Sequence, residues 1–195
     1  YIVDSKSKQI EMFAAGVLKY EVLTDADGNR ELRVLGFAKE PDKAKNLTIP
    51  SSVSYDGIRL AVTEIAPFAF YDSEKILSIS VAVSVKKIGK GAFGFSSATG
   101  FTTGAASELE VIGESAFADC YDLASITLPA KLKEIGTKAF NNSGGYSSMS
   151  VKIPASVERI GVSAFDHCHA VSSFYMEKFE VTNLDWREYE NWMQM

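Results

Sequence analysis

The stretch Ile135-Gly136-Thr137-Lys138-Ala139-Phe140 decides how this chain folds, because the same pattern occurs five times. Each copy begins with Ile and closes with an Ala-Phe pair, and the other copies are residues 65–70, 88–93, 112–117 and 160–165. The closing phenylalanines are 23, 24, 23 and 25 residues apart. A fixed period of this length is typical of a solenoid in which every coil contributes one copy of the same core layer. The pattern therefore predicts architecture, and it points to a binding or structural role without naming a ligand.

The residues between two copies predict one strand in every coil. In the clearest coil Leu123, Ile126 and Leu128 are followed by Pro129. Leu-x-x-Ile-x-Leu is one half of a leucine-rich repeat. Alternate strand residues face opposite sides, so Ile126 and Leu128 are expected to point inward. Pro129 ends the strand because it has no N–H to donate.

The motif itself predicts a corner followed by a core contact. We expect Gly136 to permit a tight corner and Ala139 and Phe140 to turn inward on a short helical turn. Each motif Phe is expected to stack on the Phe of the next coil. The coil at 94–111 is degenerate, and we expect an irregular or bulged loop there, with Phe101 and Thr103 in the strand positions.

The two ends of the chain differ from the repeats. Residues 17–23 and 31–37 alternate around a cluster of Asp, Gly and Asn, which predicts a β-hairpin. Near the C-terminus Trp186, Tyr189 and Trp192 share one face of a predicted helix. We therefore divide the chain into an N-terminal extension and hairpin cap at 1–46, a solenoid of about five coils at 47–181 and a capping helix at 182–195.

Composition and charge exclude several classes of function. The 195 residues are 46% hydrophobic and 23% charged, as expected for a folded chain, and the formal net charge is -5. The longest run of basic residues is the pair Lys86-Lys87, which argues against binding to nucleic acid or to an anionic membrane. No apolar run approaches the roughly 18–20 residues that a transmembrane helix needs.

The two cysteines occupy equivalent positions in different coils. Cys120 and Cys168 each follow a motif Phe by three residues, two coils apart. Stacked strands lie about 4.8 Å apart, so two coils separate the cysteines by roughly 10 Å. This distance exceeds the Cα–Cα limit of about 7 Å for a disulfide. The sequence therefore predicts two free, buried thiols.

Over about residues 47–177 the chain resembles the BspA-like leucine-rich repeat proteins of bacterial surfaces. The resemblance is carried by Leu123-x-x-Ile126-x-Leu128-Pro129-x-x-Leu132-x-x-Ile135-Gly136-x-x-Ala139-Phe140, and by Ala-Phe-x-x-Cys at Phe117/Cys120 and Phe165/Cys168. It implies a leucine-rich repeat solenoid and secretion or surface display in a bacterium, with an export signal already removed. It implies protein-binding or adhesive roles and supplies no catalytic residue.

Three short motifs imitate chemical sites. Gly89-Lys90-Gly91-Ala92-Phe93-Gly94 has the G-x-G-x-x-G spacing, but Phe93 belongs to the repeat, so a nucleotide site is disfavoured. Asp25-x-Asp27-x-Asn29 begins like a calcium loop, but Arg30 and Gly36 occupy the positions that need Gly and Glu. His167-Cys168-His169 holds the only two histidines, too few for a closed zinc site. We therefore expect no enzyme and no cofactor.

The outward strand positions form the candidate binding face. By register they are Thr48, Ser78, Ser80, Thr102, Ser125, Thr127, Ser150, Lys152, Ser173 and Tyr175. Small hydroxyl side chains suit any tightly stacked, solvated sheet, and they would also make a smooth surface for an extended partner. Both interpretations are open at this point. The set lacks an aromatic platform, since Tyr175 stands alone.

These observations favour a non-enzymatic secreted or cell-surface repeat module. We expect a monomer that mediates protein–protein interaction or adhesion through its solenoid face, with a protein or another surface polymer as partner. One alternative is a glycan-binding module, which aromatic residues clustered in one groove would favour. The other alternative is a structural spacer within a larger surface protein.

Overall fold

Short strands joined by tight turns make up the computed structural model, which describes residues 2–3, 9–144 and 151–168. In this part of the chain there is no helix. The strands are β1 (Ile2–Val3), β2 (Gln9–Ile10), β3 (Met12–Ala15), β4 (Leu18–Thr24), β5 (Arg30–Phe37), β6 (Lys45–Ile49), β7 (Ser52–Tyr55), β8 (Ile58–Ile65), β9 (Ile76–Val81), β10 (Lys87–Ile88), β11 (Gly100–Thr103), β12 (Val111–Ile112), β13 (Ser125–Ile126), β14 (Glu134–Ile135) and β15 (Arg159–Ile160). The helix predicted at 182–195 lies outside the described residues.

Two sheets run along the repeats. The four-stranded leucine sheet has the order β13-β11-β9-β6 and contains the strands of the Leu-x-x-Ile-x-Leu pattern. The nine-stranded corner sheet has the order β15-β14-β12-β10-β8-β5-β4-β3, with β7 paired to β8. In the corner sheet the first residues of the five motifs pair in parallel, one coil after another, as Ile65, Ile88, Ile112, Ile135 and Ile160. The five-copy repeat is therefore a stack of equivalent coils.

A column of phenylalanines fills the core between the two sheets. The motif rings stack face to face, with centroid separations of 5.2 to 5.4 Å from Phe70 through Phe165. All five rings are buried. Phe37 of β5 closes the N-terminal end, meeting Phe70 edge-on at 5.1 Å. The predicted stacking of each Phe on the next is confirmed.

The expectation of a short helical turn after each corner is wrong. The backbone instead makes consecutive β-turns, with i→i+3 bonds such as Ala92 N to Gly89 O at 3.3 Å and Gly94 N to Gly91 O at 3.2 Å. The third residue of the first turn is left-handed in every coil, as at Lys138 with φ 54°. The alternate N–H groups bond to the next coil, as Phe93 N does to Ala116 O at 2.8 Å. A helix cannot form because these N–H groups already have partners between coils.

These turns form a third surface, which we call the turn ribbon. It comprises residues 66–73, 89–96, 113–120, 136–143 and 161–168. The motif glycines lie where the ribbon leaves the corner sheet. A Cβ at Gly136 would stand 2.6 Å from Glu114 N in the preceding coil. Gly136 was predicted to permit a tight corner, and the structure shows that its missing Cβ permits the close approach of two backbones there.

The coil at 94–111 is more regular than its sequence predicts. β11 pairs in register with β9 and with β13, and Phe101 lies opposite Ile79 and Ile126. Phe101 is buried, and its ring meets Phe117 edge-on at 5.0 Å. The predicted strand positions of Phe101 and Thr103 are confirmed, since both lie in β11. No bulge interrupts the pairing of β11 with either neighbour, so the expected bulge is absent from the strand.

The predicted hairpin is present at the N-terminal end. β4 and β5 pair antiparallel, and β5 then pairs in parallel with β8 of the first coil. Leu18, Tyr20 and Leu32 from the hairpin belong to the same buried cluster as the repeats. The edge of the first coil is thus covered by a sheet that continues its own hydrogen bonding, which protects an otherwise open strand.

Candidate functional site

The residues predicted as the binding face lie along the outer side of the leucine sheet and continue beyond it, since Thr127 directly follows β13 and Lys152 lies in no strand. Seven of the ten lie in the described part, and we call them the hydroxyl face: Thr48, Ser78, Ser80, Thr102, Ser125, Thr127 and Lys152. Six are exposed and Ser78 is half-buried. Ser150, Ser173 and Tyr175 lie outside the described residues. The predicted outward orientation agrees with the structure for these seven, while their role in binding stays a prediction.

Strand pairing places the hydroxyls side by side. Thr48 pairs with Ser80, and Ser80 pairs with Thr102. Their strand neighbours Ile49, Val81 and Phe101 are buried on the opposite side of the sheet, so the apolar core fixes which way each hydroxyl points. The result is a row of small, polar, uncharged side chains that crosses several coils.

Hydrogen bonds hold part of this row in place. Ser78 Oγ donates to Asn46 Oδ1 at 2.9 Å, and Thr102 Oγ1 donates to Ile79 O at 3.4 Å. The apolar side chains of Leu77 and Val83, near the two ends of β9, are exposed beside the row. A surface of hydroxyl groups bordered by apolar side chains can contact a partner without leaving a buried charge unpaired.

The outer side of the corner sheet has the opposite chemistry. Here a basic residue of one coil pairs with an acidic residue of the coil before it, as Lys131 does with Glu108 at 2.6 Å and Lys133 with Glu110 at 3.0 Å. Lys86–Glu31 and Arg159–Glu134 have the same order, whereas in Arg33–Glu64 the basic residue comes from the hairpin strand β5. We call this row the ion-pair ladder. Its charges are largely neutralised within the chain itself, so this surface attracts a charged ligand weakly.

The G-x-G-x-x-G segment has a structural explanation. A Cβ at Gly91 would stand 2.6 Å from Phe68 Cε1, and a Cβ at Gly94 would stand 3.2 Å from Tyr71 Cδ2. Both glycines therefore make room for aromatic rings of the preceding coil. Lys90 pairs with Glu114 at 2.9 Å. The segment continues the turn ribbon and opens no helix, which a dinucleotide site would require.

The other two motifs belong to turns. Asp25 Oδ1 accepts hydrogen bonds from the backbone N–H groups of Asp27 and Asn29, both at 2.9 Å, so the carboxylate closes the hairpin turn. The hydrogen bond from the Asn29 side chain, followed by those from backbone N–H groups, lowers the pKa of Asp25. His167 is exposed and contacts Asp166 Oδ1 at 3.0 Å through Nδ1. Its predicted companion His169 lies outside the described residues.

Metal ligands do not converge in the described ranges. Among residues 2–3, 9–144 and 151–168, no group of three or more His, Cys, Asp or Glu side chains lies close enough to hold an ion. Within the same ranges no helix is long and apolar enough to cross a bilayer.

Both cysteines are free and buried, as predicted. Cys120 Sγ donates to Phe93 O at 3.1 Å, and Cys168 Sγ donates to Phe140 O at 2.9 Å. Ser143 occupies the same position in the coil between them and donates to Phe117 O. Burial raises the pKa of Cys120 to about 11 and that of Cys168 to about 12. The thiols are therefore protonated, structural donors, and unreactive at neutral pH.

The sequence reasoning missed a group of exposed aromatic side chains on the turn ribbon. Phe68, Tyr71 and Phe95 are all exposed, and their rings contact one another in sequence. A signal was available, because Phe68 and Phe95 occupy ribbon positions that hold Gly, Ser, Lys, Asp, Asn or His in the other coils.

Comparison with known proteins agrees with this architecture. A family model described as a BspA type leucine rich repeat region matches residues 37–172 in six copies. No match was found among curated protein sequences.

Solved structures of bacterial proteins are similar. A leucine-rich repeat protein from Bacteroides ovatus is 28% identical, with a TM-score of 0.67 over 84% of this chain and 41% of its own. The T. pallidum leucine rich repeat protein TpLRR is 27% identical, with a TM-score of 0.68 over 84% of this chain and 71% of its own. The pneumococcal vaccine antigen PcpA is 25% identical, with a TM-score of 0.61 over 89% of this chain and 50% of its own. The chain thus spans less than half of the first protein and half of the third.

Proposed function

The chain belongs to the BspA-type leucine-rich repeat family, and from that premise we propose that it is a non-enzymatic binding module displayed on or secreted from a bacterial cell. Its partner in this proposal is a protein that lies along the hydroxyl face. Repeat solenoids bind partners through the extended surface that their stacked coils create. No enzymatic family is indicated by the match over residues 37–172.

One observation carries the proposal. Of the two long sheet surfaces, the corner sheet uses its charges in pairs between coils, whereas the hydroxyl face has one charged side chain, Lys152, among its seven residues. A partner that covers the hydroxyl face displaces water from small groups that can be paired again by hydrogen bonds. A partner on the ion-pair ladder would have to desolvate paired charges, which costs more.

A secreted or surface location is part of the same proposal. The similarity to a pneumococcal vaccine antigen supports it, as does the family resemblance to bacterial surface proteins. Adhesion through the solenoid would follow if the partner belongs to another cell. The division into a cap at 1–46, a solenoid at 47–181 and a terminal helix at 182–195 stays a prediction, as does the monomeric state.

The experiment is affinity capture from preparations of bacterial envelope and host-cell surface proteins. Thr127→Glu/Lys152→Glu places carboxylates on the hydroxyl face and should abolish capture. Thr137→Glu/Lys138→Glu makes the same two kinds of substitution on the exposed turn ribbon, so it is a control matched in charge, and it should capture as the wild type does.

Two results would reject the proposed face. One is equal capture by wild type and by Thr127→Glu/Lys152→Glu, provided that both are folded by circular dichroism. The other is loss of capture in the ribbon control alone. If the wild type captures nothing from either preparation, the spacer alternative replaces the binding function.

A further inference from the structure

Three aromatic side chains form a continuous strip on the first two coils of the turn ribbon. Phe68, Tyr71 and Phe95 are 54%, 46% and 43% exposed. The ring centroids of Phe68 and Tyr71 lie 5.7 Å apart, and those of Tyr71 and Phe95 lie 5.4 Å apart. The interplanar angles are 78° and 61°, so neighbouring rings meet edge to face and leave ring surface open to solvent. We call these residues the aromatic strip.

The aromatic strip lowers the stability of the fold. Phe68 and Phe95 have φ values of 57° and 59°, in the left-handed region that bulky side chains rarely adopt. Exposed rings also gain little from burial. Both residues therefore stand where a polar residue or glycine would serve folding better, and strain of this kind is concentrated at binding sites.

Glycines of the next coil seat the rings. Gly91 lies beneath Phe68, and Gly94 lies beside Tyr71, at distances that leave no room for a Cβ at Gly91 and little at Gly94. Each ring therefore packs on bare backbone. The sequence departs from its own repeat at both glycines and at both left-handed aromatic residues, and the four departures meet at one place.

A polar cleft adjoins the strip at Tyr71. The cleft has a volume of about 270 Å³ and lies between residues 35–40 and 69–73. Lys39, Glu40 and Asp72 line it, and Ser73 Oγ donates to Glu40 Oε1 at 3.1 Å. Carboxylates and an ammonium group thus stand next to exposed ring surface, and together they offer acceptors and donors to hydroxyl groups.

We propose that the aromatic strip and the adjoining cleft bind a carbohydrate through its pyranose rings. A pyranose has an apolar C–H face, which suits the negative face of an aromatic ring, and a rim of hydroxyls, which suits the charged groups of the cleft. A protein hot spot would need a wider apolar core around the rings. The strip instead borders Lys90, which is paired to Glu114, and the cleft side chains.

The site lies on a different surface from the hydroxyl face, so its test is independent of the function proposed above. The full chain is applied to a printed array of defined bacterial, fungal and mammalian oligosaccharides. Any oligosaccharide that the chain binds on the array is then titrated in solution against three proteins: the wild type, Phe68→Ser/Tyr71→Ser and the control Ile58→Ser. Ile58 is an equally exposed apolar residue, 55% accessible, on the β7–β8 hairpin.

We expect the wild type to bind at least one oligosaccharide. The dissociation constant for it should rise tenfold or more in Phe68→Ser/Tyr71→Ser and change less than twofold in Ile58→Ser. Gly94→Ala should weaken binding to a smaller extent, because the added methyl displaces the Tyr71 ring while every side chain of the site is kept. Because Ser is compatible with a left-handed ribbon residue, as at Ser115, the double variant should remain folded.

Two outcomes would overturn the proposal. In the first, the wild type binds no oligosaccharide on the array, and capture of a protein that depends on Phe68 and Tyr71 would then assign the strip to a protein partner. In the second, Phe68→Ser/Tyr71→Ser binds the oligosaccharide as tightly as the wild type does. Loss of hydroxyl-face capture in Thr127→Glu/Lys152→Glu has no bearing on any of these outcomes.

Discussion

The hydroxyl face and the ion-pair ladder are built on the same coils with the same spacing, yet they differ in chemistry. On the corner sheet, side chains of neighbouring coils satisfy one another, as Lys133 and Glu110 do at 3.0 Å. On the leucine sheet, Thr48, Ser80 and Thr102 pair through their backbones and are exposed, and the Thr102 hydroxyl bonds to a backbone oxygen, that of Ile79. The contrast teaches that a repeat can fix the positions of outward residues without fixing their role. One surface pairs its charges within the chain, and the other is the surface that we propose a partner contacts.

The largest expected effect comes from breaking the column on which both surfaces rest. Phe117 is buried between Phe93 and Phe140, so Phe117→Ala should lower the free energy of unfolding by about 3–5 kcal/mol, measured by urea unfolding followed by circular dichroism. Phe117→Leu, which keeps most of the buried apolar volume, is the control and should cost clearly less. Equal costs for the two variants would show that the retained apolar volume is unimportant here, and a negligible cost for Phe117→Ala would contradict the role of the column.

A smaller effect distinguishes the two sheets by their glycines. Gly136→Ala forces a Cβ to within 2.6 Å of Glu114 backbone and should cost about 1–3 kcal/mol. Gly100→Ala on the leucine sheet is the matched substitution. There the one close contact of the Cβ would be Ser125 Oγ, at 2.9 Å, which can rotate away, and Ser125 O stands at an ordinary 3.8 Å. The cost should therefore be well below that of Gly136→Ala, and the reverse order in urea unfolding would contradict the close approach at the corner.

The next largest effect on the free energy of unfolding is expected at Cys120, a buried hydrogen-bond donor beside the phenylalanine column. Cys120→Val removes the hydrogen bond to Phe93 O, whereas Cys120→Ser retains a donor of the kind that Ser143 supplies. The Val variant should be about 1 kcal/mol less stable than the Ser variant, measured by urea unfolding. Val as stable as Ser would show that the thiol acts only as an apolar filler.

Both thiols also make a prediction about pH. Their folded pKa values, about 11 and about 12, exceed the value of 9.0 expected for an unfolded thiol. Their contribution to stability is therefore fully present below pH 9 and is lost as the pH rises through the folded values. At pH 8, iodoacetamide should leave the native chain unmodified and add two adducts in urea, as measured by mass spectrometry. Rapid labelling of the native chain would contradict the burial of these groups.

The smallest effects are expected on the two outer surfaces. Lys133→Ala removes one exposed ion pair and should cost less than about 1 kcal/mol, with the difference shrinking at high salt. Thr102→Ala on the hydroxyl face should also be nearly neutral in urea unfolding. If Lys133→Ala costs as much as Phe117→Ala, charge pairing would be a principal source of cohesion between coils.

The repeat made most of the fold predictable. The spacing of the five motifs is sufficient to predict the phenylalanine column, the outward orientation of Thr127 and the free state of Cys120. These features follow from periodicity, because one inward or outward position recurs at every coil. The hairpin was predictable from local turn chemistry around Asp25.

The remaining features depend on contacts between coils, which a single repeat does not reveal. The left-handed residues that replace a helical turn are Lys138, Ser115 and other types with no common signature. The position of Phe101 in a strand was predictable, but its edge-on contact with Phe117, which belongs to the next copy of the motif, was not. The aromatic strip was missed because its rings come from two different coils, and only the stacked structure brings Phe95 beside Tyr71.

The most direct test of which surface recognises a partner is site-specific photocrosslinking. Thr127 on the hydroxyl face and Lys133 on the ion-pair ladder are each replaced, in separate samples, with benzoylphenylalanine, and each sample is irradiated with the captured partner. We expect a covalent adduct from position 127 and none from position 133. An adduct from position 133 with none from position 127 would contradict the proposed binding face.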